Sequence, residues 1–205
     1  MHASATHAAV PQGFGELFDE RLPMPEVGAM DDQQRAAARA LIEGPRKGVA
    51  GPFVALLRTP DLLDRVASLG EHLRFRSRLD ARIRELVTSA VARHTANQFE
   101  WLLHSRLALA AGVAEQALEA IRVGARPREL PADEENALDF TRELLATNGV
   151  SGPTYTRSLA CFGDTGVVEL TTLVGYFAMV CWVMNVAKTP SQEVPTSGAL
   201  TGFPQ

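Results

Sequence analysis

The densest run of residues able to do chemistry is Arg84-Glu85 followed, after an apolar stretch, by His94-Thr-Ala-Asn-Gln-Phe-Glu-Trp-Leu-Leu-His104. Glu100 and His104 are four positions apart, so on a helix their side chains share one face. A carboxylate against an imidazole fixes the ring's tautomer and raises its basicity, which is what a general acid or base needs near neutral pH. The same spacing also serves surface ion pairs, and spacing alone does not separate the two. His94 lies six positions before Glu100, at a helix end where capping or packing competes with a site role. Trp101 adjoins the pair but points off its face, toward the core or a subunit contact. Tyr176 interrupts a long apolar run, and a buried hydroxyl there needs a partner, either structural or in a pocket. Two carboxylates and one histidine could in principle hold a metal, but nothing else fixes a ligand set, and no metal is expected.

Helices must position these groups. Asp31 and Asp32 open a helix whose apolar face is Ala37, Ala40, Leu41 and Ile42, and Gly44-Pro45 stops it. Helix resumes at Gly51-Pro52-Phe53. Pro60 then suits the first turn of another helix, expected to end at Gly70. From Asp80, the residues Ile83, Leu86, Val87, Ala90 and Val91 recur at three and four, marking a helix with one buried stripe. A second run extends from Gln98 to Ala111 with Gly112 as its stop, and a third from near Ala114 to Val123. After a linker at 124–131, helices are expected over 132–147, over 152–162 with Ser151 as N-cap, and from Asp164 or Thr165 to residue 187. No useful β-alternation occurs, so the fold class is all-α. Residues 1–30 read as an N-terminal arm with one helical turn around Phe14 to Asp19, 31–188 as a single helical domain, and 189–205 as an extended tail.

Composition narrows the setting. Of 205 residues, 46% are hydrophobic and 21% charged, so a packed core is feasible. A net charge of −4 gives no general reason to bind nucleic acid. Arg74, Arg76 and Arg78 come nearest to a basic cluster, read as a solvated loop or helix edge. Cys161 and Cys181 sit in no CxxC, so no disulfide scaffold is implied and a reducing, cytoplasmic compartment fits. Residues 1–12 hold no Lys or Arg and no apolar run, so no signal peptide is read there. Leu170 to Ala187 is uncharged over eighteen residues, long enough to span a bilayer. Its Thr171, Thr172, Gly175, Tyr176 and Asn185 favour a buried bundle helix instead, and no membrane is expected.

The run Arg84-Glu85-Leu86, Phe99-Glu100-Trp101, His104, Ala108 and Gly112 resembles the carboxymuconolactone decarboxylase family. Related alkylhydroperoxidase-D-like proteins carry a glutamate, a CxxC pair and a histidine in a helix-turn-helix, with glutamate and histidine nineteen positions apart. Glu85 and His104 have that separation here. The match covers about residues 50–123 and implies an alkylhydroperoxidase-D-like helical bundle around a central helix-turn-helix motif. The two cysteine positions fall on Asn97 and Glu100. Peroxide reduction needs an attacking thiolate and a resolving thiol, so thiol peroxidase chemistry is not expected.

The resemblance implies a cofactor-independent lyase acting on a small carboxylated or enolisable, lactone-like substrate. It assigns His104 as proton donor or base, with Glu85 or Glu100 orienting it. Decarboxylation also needs a cation for the substrate carboxylate. Arg46, in the loop Gly44-Pro-Arg-Lys-Gly48, is the candidate, because arginine grips carboxylates in a fork. An ordinary loop role remains its alternative, and Arg82 and Arg84 are the other choices. Isomerase or hydrolase chemistry would use the same residues, and a non-catalytic helical assembly protein is the rival of another class. Homo-oligomerisation as a trimer or hexamer, or a dimer, is implied. A histidine in a cleft contributes little to packing, so His104→Ala is expected to change stability by only ~1 kcal/mol.

Overall fold

The computed structural model describes residues 20–191 and 198–200. The expected turn around Phe14 to Asp19 lies outside them. Among the described residues the chain is entirely helical: a short 3-10 helix at Val27–Ala29, then α1 (Asp32–Glu43), α2 (Pro52–Leu56), α3 (Pro60–Phe75), α4 (Ala81–His94), α5 (Gln98–Ala110), α6 (Glu115–Arg122), α7 (Ala132–Thr147) and α8 (Gly152–Ala187).

Local chemistry sets most boundaries. Asp31 closes a capping box on α1: its carboxylate accepts from the Gln34 N–H at 2.8 Å, and the Gln34 side chain accepts from the Asp31 N–H at 3.0 Å. Asp80 caps α4 through the Arg82 N–H at 2.8 Å. Asn148, with φ of 62°, ends α7 in the left-handed conformation that terminates many helices. At Gly163 the backbone leaves the helix, with φ 68° and ψ 177°, so α8 is two helical halves meeting at a glycine. That break falls where the sequence places a boundary between 162 and 164.

α3 departs from expectation. It runs through Gly70 to Phe75 rather than ending at the glycine. The missing Cβ at Gly70 serves a close contact with Tyr176 of α8, and not a C-terminal turn.

α4 is the central element. It packs against α5, α7 and α8. Its Ile83, Val87 and Val91 join a cluster with Phe53, Leu57, Leu63, Leu73, Phe140 and the second half of α8. Its Leu86 and Ala92 face a second cluster with Trp101, Ala108, Leu118, Ile121 and Leu138. α8 is long and apolar enough to cross a membrane by length and composition, but 56% of its most apolar window is buried inside the protein. That is the burial pattern of a core helix.

Two segments read as arms are docked where they are described. The Arg21 N–H donates to the Ala187 carbonyl at 2.8 Å, and Met30 is buried. In the tail, Leu200 is buried, and its N–H donates to the Gln98 Oε1 at 3.0 Å.

Candidate active site

A helical hairpin builds the site. α4 and α5 run antiparallel around a tight turn in which Ala96 adopts a left-handed φ of 51°. The Asn97 N–H donates to the Ala92 carbonyl at 2.9 Å, which pins the turn back on α4. Asn97 then starts α5, its Oδ1 accepting from the Glu100 N–H at 2.9 Å. Its Nδ2 donates to Asn185 Oδ1 at 2.9 Å and to the Cys181 carbonyl at 3.3 Å. Asn185 in turn donates to the Thr95 carbonyl at 2.7 Å. Asn97 is thus a buried clasp that fixes the first turn of α5 against α8.

Across this hairpin Glu85 meets His104. Glu85 Oε2 lies 2.5 Å from Nδ1 of the ring. Glu100 Oε2 lies 3.0 Å from Nε2 of the same ring, one helical turn away. Both nitrogens therefore face carboxylate oxygens. Two N···O contacts need two protons, so the three groups share two protons and carry a net charge of −1 in the paired state. The imidazole is 2% exposed at its side chain, Glu100 6% and Glu85 13%. Burial opposes charge on His104, but the hydrogen bonds and fields of Glu100 and Glu85 outweigh it and raise its pKa above the ordinary histidine value. The edge of Phe177 packs on the ring, with centroids 4.9 Å apart.

Glu100 and His104 border a cavity of about 390 Å³. Glu85 is not among its lining residues, so it holds the ring from behind. The cavity lies between the 45–50 loop, α2, the C-terminal end of α3, α5 and α8. Phe53, Phe99, Leu103 and Phe177 make its walls apolar, and Arg46, Arg74 and Tyr176 add polar groups. Arg46 lies over the Phe53 ring at 4.3 Å and donates to the Ala67 carbonyl at 3.0 Å. Its guanidinium sits beside the Tyr176 phenol, both groups crowding the space next to Gly70. Burial lowers the Arg46 pKa, with the nearby phenol acting in the opposite direction. Burial likewise raises that of Tyr176, with Arg46 opposing it.

A glycine makes that pairing fit. A Cβ on Gly70 would stand 2.0 Å from the Tyr176 hydroxyl oxygen and 2.9 Å from Arg46 Nη2. The phenol therefore occupies the space a side chain at position 70 would take. Similarly, a Cβ on Gly51, whose φ is 59°, would meet the Phe99 ring at 2.7 Å.

Two sequence candidates lie elsewhere. His94 is exposed at the end of α4 and lines a different surface pocket with Ile121, Leu138 and Arg142. Being an odd number of half-turns from Glu85 on the same helix, it faces away from the cavity. Trp101, one residue past Glu100, turns into the second apolar cluster, and its indole N–H donates to the Gly198 carbonyl at 2.7 Å. It secures the tail and does not border the cavity. Of the alternative cations, Arg82 is held by Asp133 at 2.5 Å and by Glu134, and Arg84 donates to the Leu79 carbonyl. Neither lines the cavity.

Arg74 does line it, although its basic cluster reads in the sequence as a solvated edge. The signal lies in α3: once the helix is carried through Gly70, Arg74 falls four residues on and shares the face of Gly70. Both cysteines are free. Cys161 is exposed and Cys181 buried, and burial raises both thiol pKa values, that of Cys181 strongly.

Comparison with known proteins agrees with this architecture. Residues 60–143 match the model of the Carboxymuconolactone decarboxylase family, a stretch holding Glu85, Glu100 and His104. Arg46 and Tyr176 fall outside the matched stretch. Among solved structures, the alkylhydroperoxidase AhpD core, an uncharacterised peroxidase-related protein from Ralstonia eutropha JMP134, superposes with a TM-score of 0.69 at 17% identity, over 85% of this chain and 93% of that one. An uncharacterised peroxidase-related protein from Silicibacter sp. TM1040 gives 0.70 at 17% identity, over 89% and 97%. The fold is therefore alkylhydroperoxidase-D-like. No curated protein matches the sequence.

Proposed function

We propose that this protein is a cofactor-independent carboxy-lyase that acts by general acid/base catalysis on a small carboxylated, lactone-like or otherwise enolisable substrate. The observation that carries the reading is the Glu85–His104–Glu100 chain, whose Glu100–His104 end borders an apolar cavity that also holds Arg46. A substrate carboxylate or enolate in that cavity would meet a guanidinium on one side and a buried, shared proton on the other. In decarboxylation the C–C bond electrons pass into the substrate carbonyl as CO₂ leaves. The proton of the His104–Glu100 pair then goes to the carbon, leaving a neutral ring whose Nδ1–H stays on Glu85, and a solvent proton restores the pair before the next turnover. A buried, preorganised pair is suited to this because its charges need little reorganisation as the reaction proceeds. Isomerisation or hydrolysis would draw on the same proton transfer.

Thiol peroxidase activity is not part of this proposal. The position of one family cysteine holds the Asn97 clasp, the other holds Glu100, and burial disfavours the Cys181 thiolate. An exposed apolar stripe on α8, with Val168 at 64%, Trp182 at 58% and Val186 at 64%, favours self-association. The working form within the same proposal is a cytoplasmic homo-oligomer.

The test is to incubate the protein with carboxylated unsaturated γ-lactones in D₂O, following CO₂ release and deuterium at the product carbon. Turnover that falls at least a hundredfold in Glu100→Gln supports the reading. Equal turnover in wild type and Glu100→Gln sinks it.

A further inference from the structure

We infer that Arg74 is the second arm of the substrate-anion clamp, closing on the same carboxylate as Arg46. The inference rests on the acid/base reading of the cavity and goes beyond it by assigning a residue that the motif and the sequence spacing leave out.

Three observations carry it. First, Arg74 lines the cavity beside Arg46 and Tyr176. Second, its Nε is buried and has no hydrogen-bond partner among the described residues. A buried donor without an acceptor costs free energy unless something else fills its place. The guanidinium lies against the ring of Phe75, 5.2 Å from the centroid. Arg82 is the contrast, a structural guanidinium matched by both Asp133 and Glu134.

Third, the charges at this end of the cavity are unbalanced. Arg46 spends one nitrogen on the Ala67 carbonyl, and Arg74 lies close enough for its field to disfavour charge on Arg46. The carboxylate whose field acts on Arg46 is that of Glu71, which is 39% exposed and lies 4.0 Å from Arg76. Among the described residues the one carboxylate that lines the cavity, Glu100, is committed to His104. Two like charges on one apolar wall, with a donor left open, are what an incoming carboxylate would relieve. Arginine forks suit a planar carboxylate, and Phe53, Phe99 and Phe177 suit a flat apolar body attached to it.

Benzoate and benzamide are suitable probes, being alike in shape and different in charge. Their binding to the full chain is measured by calorimetry or by ligand-observed NMR, with thermal melting as the fold control. Wild type is expected to prefer benzoate. Arg74→Met should weaken benzoate about tenfold, the equivalent of one charge-assisted hydrogen bond, and leave benzamide unchanged. Arg74→Lys, which keeps the charge and loses the fork, should show a smaller loss of benzoate alone. It decides the matter if the Met variant does not fold. Benzoate affinity unchanged in either folded variant overturns the clamp. If Arg46→Met loses benzoate while the Arg74 variants keep it, the clamp fails and the catalytic reading stands. If wild type does not prefer benzoate over benzamide, the anion-binding cavity fails as a whole, and this inference with it.

Discussion

The Nδ1 of His104 lies 2.5 Å from Oε2 of Glu85, nineteen positions earlier on the opposite arm of a helical hairpin. With Glu100 on the other ring nitrogen, this makes the imidazole the middle of a three-residue proton chain whose one end is at a cavity and whose other is behind it.

Removing the ring should cost more stability than a cleft histidine would. His104→Ala leaves Glu85 and Glu100 facing one another without the group they both bind. Breaking a buried ion pair in this way costs about 3–5 kcal/mol, above the ~1 kcal/mol that the sequence suggests. Urea denaturation measures it, and a loss below 1 kcal/mol would show that the three groups are not coupled in solution.

Glu100→Gln is the cleaner probe of chemistry. The amide oxygen can still accept from Nε2, so the fold should hold within ~2 kcal/mol. Loss of the carboxylate should lower turnover by roughly 10²–10⁴-fold. A variant with wild-type melting and wild-type turnover would remove Glu100 from the mechanism.

Stability should carry a signature of the raised His104 pKa. A group whose folded pKa lies above its unfolded value stabilises fully below the unfolded value, about 6.5 for histidine. That contribution is lost as pH rises through the folded pKa. The melting-temperature difference between wild type and His104→Gln should therefore be greatest in mild acid and shrink on the alkaline side of pH ~6.5. A difference that grows with pH over that interval would reverse the assignment.

Gly70→Ala should disturb the Tyr176–Arg46 pair, because the new methyl would overlap the phenol oxygen. Overpacking of this kind costs about 1–3 kcal/mol. Chemical denaturation and benzoate binding should both weaken. If neither changes, the phenol does not depend on the space that glycine leaves.

Peroxide turnover supplies an independent check. With an alkyl hydroperoxide and a thiol reductant, wild type and the Cys161→Ser, Cys181→Ala double variant should show the same background rate. Robust wild-type turnover abolished in the double variant would mean that one of these thiols is active despite its raised pKa.

The sequence by itself determined most of the helices and one pair of the candidate site. Apolar recurrence at three and four along Ile83, Leu86, Val87 and Val91 depends only on helical geometry, so α4 was legible before any packing was known. The Glu100–His104 pair is a local one-turn relationship, and Glu85 joined it only through the nineteen-residue spacing shared with the family the sequence resembles. What tertiary structure decided was every relationship between distant segments. Whether an arginine serves a substrate or the fold depends on which acid packs against it. Asp133 and Glu134, more than fifty positions on, claim Arg82, while Arg46 and Arg74 are left at the cavity. Gly70 reads as a helix stop because glycine is a poor helix former, and only the phenol of Tyr176, arriving from α8, shows that its role is space. His94 and Trp101 are close to the motif in sequence and turned from it in space, since helical rotation sends near neighbours to opposite faces.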